Sequence, residues 1–181
     1  SGKTTLLNLL GLLDRPDEGT LLFEGRDVSA LPDSERSRLR RERIGFVFQS
    51  HQLVPVLSAA ENVAVALWIR GFPEHECRRR ALEALDAVGL GGLAARRPEA
   101  LSGGQRQRVI IALALSCDPQ FLIADEPTRN LDVTIQAQIL KLIVELQREM
   151  KVTVLYIANN PALVSSICDK MGVIHRGRMI E

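Results

Sequence analysis

Two nearly continuous apolar runs, FLIAD at 121–125 and VTVLYI at 152–157, restrict the fold of this chain more than any other feature. A strand with one solvated face alternates apolar and polar residues, whereas a strand buried on both faces of a parallel sheet is apolar throughout. Further β-rich runs, TLLFEG, IGFVFQ and MGVIHRGRMI, alternate with helical patterns at about 3–14, 74–88, 105–116 and 134–150. This alternation predicts an α/β domain with a mostly parallel sheet.

The chain is expected to form one domain over 1–181 with a helical insertion. The strand pattern lapses between about 51 and 117, where helical patterns take over. We therefore predict a helical subdomain over 51–117 and a core α/β subdomain made of 1–50 and 118–181. The first helical pattern has no strand ahead of it, although an α/β layer normally feeds its first helix from a strand. We expect that the first strands of the sheet are missing and that the chain is truncated at its N-terminus.

The composition limits the classes of partner. The chain has 23 basic and 22 acidic residues, which gives no electrostatic reason to expect a nucleic acid or a membrane surface. The basic stretch RSRLRRER at 36–43 is expected to be a solvated helix face. Cys77, Cys117 and Cys168 have no metal-ligand spacing and indicate reduced thiols. The longest apolar run, VIIALAL, is far shorter than a membrane span of about 20 residues, so a role at a membrane requires a partner.

The chain begins with half of a phosphate-binding pattern. Gly2, Lys3 and Thr4 supply the second half of G-x-x-x-x-G-K-S/T, and the first glycine is absent. In the complete motif, backbone N–H groups hold the β- and γ-phosphates, the lysine neutralises their charge, and the hydroxyl ligates Mg²⁺. Alone, GKTT is equally well explained as an ordinary helix start. Its interpretation depends on elements further along the chain.

An acidic pair ends the apolar run FLIAD. Asp125 and Glu126 would lie at the carboxyl end of a parallel strand, in the crevice where α/β sheets bind ligands. Asp125 would hold Mg²⁺ through water, and Glu126 could polarise an attacking water molecule. The alternative is a pair of solvated acids in a turn before Pro127. The matching GKTT favours the site.

A third element, LSGGQRQRV at 101–109, precedes a helical pattern. Ser102, Gly103 and Gly104 would present a hydroxyl and free backbone amides at a helix N-terminus, which is an anion-binding arrangement. A plain Gly-Gly turn would explain the stretch if it stood alone. A second phosphate-binding element in the same chain favours the anion site.

Taken together, these motifs resemble the ATPases of the ATP-binding-cassette (ABC) family. GKTT, Gln49 at the end of IGFVFQ, LSGGQRQRV, LIADEPT and NLD at 130–132 have the order and spacing of that family. LLNLLGLLDRPDEG and IGFVFQSHQLVPVLSAAENV are similar to the lipoprotein-release and macrolide-export branch. DVTIQAQILKLI and ICDKMGVIHRGRMIE are similar to the dipeptide and oligopeptide importers. The resemblance implies a P-loop NTPase core that uses ATP and Mg²⁺.

The resemblance implies a catalytic centre around the phosphate loop. The residues that would form that loop and bind the nucleotide are Ser1, Gly2, Lys3, Thr4 and Thr5. The residues that would hold or sense Mg²⁺ are Thr4, Gln49 and Asp125. Glu126 would act as the catalytic base, and Gln49 would also contact the attacking water and the membrane partner.

The resemblance also implies partners. Two head-to-tail copies of a cassette sandwich the nucleotides between them, so a second ATPase subunit and membrane permease subunits are expected, at the cytoplasmic face of the cell membrane. The residues that would cover the nucleotide of the opposite copy are Ser102, Gly103, Gly104 and Gln105, with Asp132 at the dimer seam. A lone chain should then be a poor ATPase.

Three features depart from the family pattern. The upstream half of the phosphate loop is missing, which should weaken ATP binding. Arg129 replaces a small residue before the Asn-Leu-Asp turn, where it would either alter dimer closure or face solvent. Asn159 stands where the family presents a histidine that contacts the γ-phosphate, and His51 and His175 lie elsewhere in the sequence. An amide donates a hydrogen bond but carries no charge, and losing one such contact costs on the order of 100-fold in rate.

The leading hypothesis is an ATP-binding and ATP-hydrolysing subunit that energises transport across a membrane by an ABC transporter. Asn159 motivates an alternative, a degenerate ATP-binding subunit with little hydrolysis of its own that pairs with an active partner. A cassette for DNA repair or translation would require large insertions or a tandem second cassette, which this sequence does not contain.

Overall fold

The computed structural model describes residues 2–48 and 53–180, so Ser1, Gln49 and His51 lie outside the described residues. The helices are α1 Lys3–Leu10, α2 Asp33–Arg43, α3 Ala59–Ile69, α4 Glu74–Ala87, α5 Gly103–Leu115, α6 Val133–Met150 and α7 Pro161–Ile167. The strands are β1 Leu22–Phe23, β2 Arg26–Asp27, β3 Ile44–Val47, β4 Phe121–Asp125, β5 Thr153–Ile157, β6 Ile174–His175 and β7 Arg178–Met179. Short 3₁₀ turns cover Gly91–Leu93 and Pro98–Ala100.

Within the described ranges, three strands form a parallel sheet in the order β3, β4, β5. Phe121 of β4 pairs with Ile44 of β3 on one side and with Thr153 of β5 on the other. The three strands therefore start level, and their carboxyl ends meet at one edge of the sheet. The predicted α/β fold with a parallel sheet is confirmed. The pairs β1–β2 and β6–β7 are antiparallel hairpins.

The central strand β4 is buried on both faces. Leu122 and Ala124 join an apolar cluster with α3, α4, α5 and α6. Phe121 and Ile123 point to the opposite face, where they pack with α1 and the β1–β2 hairpin. Successive side chains of a strand point to opposite faces, so a strand covered on both sides has no position for a solvated residue. This is the physical reason for the continuous apolar run of β4. The same expectation for the run at 152–157 is wrong, because β5 has a strand neighbour on one side only within the described residues and its side chains are exposed or partly buried.

Local hydrogen bonds begin the two helices that carry family motifs. Gln105 donates its backbone N–H to the Ser102 hydroxyl at 3.2 Å, and Ser102 donates its backbone N–H to the Gln105 side chain at 2.9 Å. This reciprocal pair is a capping box, which satisfies donors that the first turn of α5 leaves open. Asp132 caps α6 by accepting the backbone N–H of Ile135 at 2.9 Å. The residues of both motifs thus also have a structural function.

Helix α1 is shorter than the pattern predicts. The expected helix over 3–14 ends at Leu10, and Leu12 has a positive φ of 55°. Gly11 lies against Phe46, because an added Cβ would be 2.8 Å from the ring atom Cε1. The chain turns here to pack against β3, and this contact overrides the helical periodicity.

Asn159, Asn160 and Pro161 follow the apolar run at 152–157 and predict a strand end and then a helix near Pro161, which the structure confirms. Helix α7 begins at Pro161, and the Asn160 side chain accepts the backbone N–H groups of Ala162 and Leu163 at 3.1 and 3.4 Å. Every described element between 59 and 115 is helical. The division into a core subdomain and a helical subdomain over 51–117 stays a prediction, because these helices share one apolar cluster with β4 and α6. No described helix combines the length and apolarity needed to cross a bilayer.

Gly45 tests the close packing of β3 on α5. A Cβ at Gly45 would lie 2.5 Å from the backbone carbonyl oxygen of Ala114, which cannot rotate away. We expect Gly45→Ala to lower the free energy of unfolding by about 2 kcal/mol, measured by equilibrium urea unfolding. Gly92→Ala is the control, because no described atom lies within 4 Å of its added Cβ. Equal unfolding free energies for the two variants would contradict this packing.

Candidate active site

The candidate site lies where the N-terminus of α1 meets the carboxyl ends of β4 and β5. Asp125 ends β4 and Glu126 follows it, while Asn159 lies just beyond the end of β5. Lys3, the first residue of α1, donates from Nζ to the carbonyl oxygen of Ala158 at 3.0 Å. The helix start predicted from GKTT and the carboxylates predicted from the strand end therefore come together at one edge of the sheet.

Asn159 connects Lys3 with Glu126. The Lys3 Nζ donates to Asn159 Oδ1, and Asn159 Nδ2 donates to Glu126 Oε1. A carboxamide has both an acceptor and a donor, so it can bridge an ammonium and a carboxylate. The other carboxylate oxygen, Glu126 Oε2, accepts a hydrogen bond from Arg129 Nη1 at 3.0 Å. Both oxygens of Glu126 are thus held by neighbouring side chains.

The backbone of Glu126 is strained and well anchored. Its φ is 45°, and Asn130 at the far end of the same turn has a φ of 65°. Residues other than glycine rarely adopt positive φ, and such positions are found at functional sites. Glu126 donates its N–H to the carbonyl oxygen of Ile157 at 2.9 Å, and its own carbonyl accepts the N–H of Arg129 at 3.0 Å. These bonds fix where the Glu126 side chain begins.

Asp125 has the electrostatic character of a cation ligand. Burial and the neighbouring Glu126 raise the pKa of Asp125, while the positive charges of Lys3 and Arg129 act in the opposite direction. A raised carboxyl pKa means that the ionised form is poorly stabilised, so a bound divalent cation would stabilise it. Mg²⁺ is usually held by one or two carboxylates together with phosphate oxygens. In keeping with this, the described residues contain no cluster of three or more His, Cys, Asp or Glu side chains that could cage a metal.

The start of α1 fits a phosphate group. Gly2 precedes the helix with a left-handed φ of 88°, and no side chain of the described residues caps the first turn. The N–H groups of that turn and the Lys3 ammonium are therefore the groups with which an anion could be bound. Thr4 and Thr5 are exposed beside it. A Cβ at Gly2 would lie 3.1 Å from the Cα of Gly177, so the loop also packs closely on the β6–β7 hairpin.

The segment Ser102–Gln105 lies elsewhere, where α5 and α6 begin side by side. An added Cβ at Gly103 would be 3.5 Å from Leu131 Cδ2, and one at Gly104 would be 2.6 Å from Ile135 Cγ2. Gly104 is therefore required for this close approach. Within the described ranges, no hydrogen bond joins the segment Ser102–Gln105 to Lys3, Asp125, Glu126 or Asn159. The two anion-binding elements do not meet within one copy of the chain.

Two features of the site were not anticipated from the sequence. Arg129 contacts Glu126, whereas we expected it to alter dimer closure or to face solvent. Its spacing of three residues within a turn is the signal that could have indicated this contact. Thr128 is buried, lies 3.2 Å from the Tyr156 hydroxyl, and accepts a hydrogen bond from Gln136 at 3.0 Å. Burial raises the pKa of Tyr156, so its hydroxyl stays protonated and available for this bond.

The other sequence-based assignments have different outcomes. The structure brings Lys3, Glu126 and Asn159 together, as the motif order predicted. Gln49 and Ser1 lie outside the described residues. His175 is exposed in the β6–β7 hairpin, and among the described residues no hydrogen bond joins it to Glu126 or Asn159. The catalytic, nucleotide-binding and metal-binding roles of the individual residues stay predictions.

Comparisons with known proteins identify the relatives of this chain. The family described as ABC transporter matches residues 1–129. The chain is 44% identical over 165 residues to the lipoprotein-releasing system ATP-binding protein LolD of Oleidesulfovibrio alaskensis, covering 91% of this chain and 71% of that protein. It is 42% identical over 181 residues to the methionine import ATP-binding protein MetN 3 of Pseudomonas fluorescens, covering 100% of this chain and 55% of that protein. These similarities give no support to the degenerate alternative.

A solved structure of an ATP-binding cassette is also similar to this chain. The dimeric structure of a post-hydrolysis state of the ATP-binding cassette MJ0796 bound to ADP and Pi has a TM-score of 0.77 and 39% sequence identity. The match covers 90% of this chain and 72% of that one. The resemblance drawn from the motif order is confirmed. This chain belongs to the ABC transporter family, among its ATP-binding subunits.

Proposed function

We propose that this chain hydrolyses ATP and thereby energises the movement of a substrate across a membrane. The observation that carries the proposal is the continuous contact from Lys3 through Asn159 to Glu126. It connects a phosphate-binding cation to a carboxylate that can act as a base, at the edge of the sheet where α/β proteins bind ligands. Further support comes from the similar cassette whose solved structure contains ADP and phosphate.

The reaction follows from the positions of these groups. The N-terminal amides of α1 and the Lys3 ammonium would bind the phosphate oxygens and neutralise the charge that develops on them. The water oxygen forms a bond to the γ-phosphorus, and the bond from that phosphorus to the β–γ bridging oxygen breaks. ADP and inorganic phosphate leave, and Glu126 accepts the water proton. Each carboxylate oxygen has a second lone pair, so Glu126 can receive a proton while Asn159 holds its orientation.

Mg²⁺ would be bound by Asp125, through water, and by the Thr4 hydroxyl. When bound, it neutralises charge on the β- and γ-phosphate oxygens. The contribution of this chain is a partly buried carboxylate whose charge is otherwise poorly stabilised. The family resemblance assigns Gln49 to the same ion. The sequence alone supports this assignment.

A second copy of the chain, or a related subunit, would complete the site. The start of α5 offers backbone amides and the Ser102 hydroxyl, and it would bind the nucleotide held by the opposite copy. Asp132 and the neighbouring Val133 would lie at the seam between copies, and Val133 is 82% exposed. The similar cassette MJ0796 is dimeric in its solved structure.

Permease subunits would anchor the protein at the cytoplasmic face of the membrane. A groove between α2, β3, α3 and α5 is lined by apolar side chains, including Phe46 and Phe48, and by Arg40, Arg41 and Arg70. Such a surface suits an amphipathic helix with acidic residues. The relatives named for lipoprotein release and for methionine import support transport as the process that the hydrolysis serves.

Glu126→Gln tests the catalytic base. We expect ATP turnover of the complete gene product with its permease to fall by roughly 100-fold or more, because glutamine cannot accept the water proton. ATP affinity should be retained, since the phosphate-binding groups are unchanged. Phosphate release and nucleotide binding measure the two effects. Glu149→Gln, at an exposed position of α6, is the matched control; unchanged turnover in Glu126→Gln would exclude Glu126 as the base.

Ser102→Arg tests the shared site. In the Glu126→Gln background, ATP should be bound without being hydrolysed and should hold two copies together as a dimer. Analytical ultracentrifugation measures the amount of this dimer. An arginine at 102 would fill the space at the start of α5 and prevent that dimer, while each copy still binds ATP at its own α1. Ser34→Arg, at an exposed position of α2, is the control. A dimer of undiminished stability in the Ser102→Arg variant would contradict the proposed arrangement.

A further inference from the structure

Among the described residues, Arg129 is the charged side chain that contacts Glu126, and the proposed function gives it no role. It follows Thr128 in the turn between β4 and α6, and its Nη1 lies 3.0 Å from Glu126 Oε2. The Arg129 side chain is 52% exposed, whereas that of Glu126 is 15% exposed. The guanidinium therefore covers the catalytic carboxylate from the solvent side.

The turn directs Arg129 toward Glu126. The backbone N–H of Arg129 donates to the carbonyl oxygen of Glu126 at 3.0 Å. Thr128 is held on the inner side of the turn by Tyr156 and Gln136. With Thr128 fixed inward and the turn closed, the next side chain lies beside Glu126 on the outer side. The contact is thus a consequence of the backbone geometry of this segment.

The two side chains that hold Glu126 differ in charge. Asn159 holds Oε1 and is neutral, whereas Arg129 holds Oε2 and carries a positive charge at any relevant pH. The Lys3 ammonium contacts Asn159 and the carbonyl oxygen of Ala158. Among the described residues, Arg129 is therefore the cation in direct contact with the carboxylate.

The site requires positive charge on this side. Asp125 and Glu126 are adjacent carboxylates, and the Arg129 guanidinium contacts Glu126 at 3.0 Å. The phosphates of ATP would add more negative charge within reach of the same carboxylates. A water molecule between Glu126 and the γ-phosphate has anions on both sides, so their mutual repulsion opposes the productive geometry.

We propose that Arg129 is a positioning residue for hydrolysis, which aims the Glu126 carboxylate and supplies the positive charge that Asn159 lacks. The inference rests on the proposed function, in which Glu126 is the base. Arg129 and Asn159 are two positions where this chain departs from the family pattern, and both side chains contact the Glu126 carboxylate. A half-exposed ion pair is weak in water, but closure of a second copy over the site would exclude water and strengthen it.

A double-mutant cycle between Arg129 and Asn159 tests this inference in the complete gene product with its permease. Arg129→Ser should lower kcat by about tenfold in the native background, with KM for ATP changed less than about twofold, because Arg129 contacts the base and not the phosphate site. In the Asn159→His background, the same substitution should lower kcat by less than about threefold, since a histidine there can carry positive charge. Arg129→Lys should retain most of the native turnover.

The controls separate this inference from the proposed function. Arg148→Ser removes an exposed arginine of α6 and should leave turnover unchanged. An equal loss of kcat from Arg129→Ser in the native and the Asn159→His backgrounds would overturn the inference. A loss of kcat in Arg129→Lys as large as that in Arg129→Ser would overturn it as well. A rise in kcat for Arg129→Ser would also overturn it and would identify Arg129 as a clamp that inhibits the base. Full turnover in Glu126→Gln would instead overturn the proposed function itself.

Discussion

The parallel register between β4 and β5 determines where the site forms. Phe121 pairs with Thr153 and Asp125 with Ile157, so the two strands end level. Whatever follows each strand must then leave the sheet at the same edge, and this brings Glu126 close to Asn159. A shift of one residue would exchange Leu122 and Ala124 with Phe121 and Ile123 between two closely packed faces, where side chains of different size would no longer fit. Burial of both faces thus holds the register, and the register holds the site.

The polar contacts of the site depend on apolar packing behind them. Helix α1 is held against the sheet by a cluster that includes Leu7, Ile44 and Ile123, and this places Lys3 above the end of β5. The positive φ of Glu126 is sustained by bonds to β5 and by the buried Thr128, whose partners lie on β5 and α6. Strain of this kind persists only where the surroundings restrict the backbone from several sides. The Glu126 carboxylate is therefore oriented by the packing of the elements around it.

The features that the sequence predicted well are those with a local or periodic cause. The sheet strands and the burial of β4 followed from continuous apolar runs, and the start of α7 followed from Asn160 and Pro161. The predicted burial of β5 on both faces was wrong, because this strand lies at the edge of the described sheet. The predicted end of α1 at about residue 14 was wrong. The helix ends at Leu10, because Gly11 packs against Phe46 of the distant strand β3. The order of the motifs indicated the ABC family without any geometry, and the related proteins confirm it.

The sequence by itself determined the α/β class, the capping of α5 and α6, and the family. Each of these depends on interactions between residues a few positions apart or on a repeating pattern of burial. Only the tertiary structure decided that Asn159 contacts Glu126 and that Lys3 contacts Asn159. Asn159 is 33 positions away from it, and Lys3 is 156 positions away from Asn159. Contacts at such separations are set by how the strands pair and how α1 packs on them, and the pattern of neighbouring residues does not contain that information.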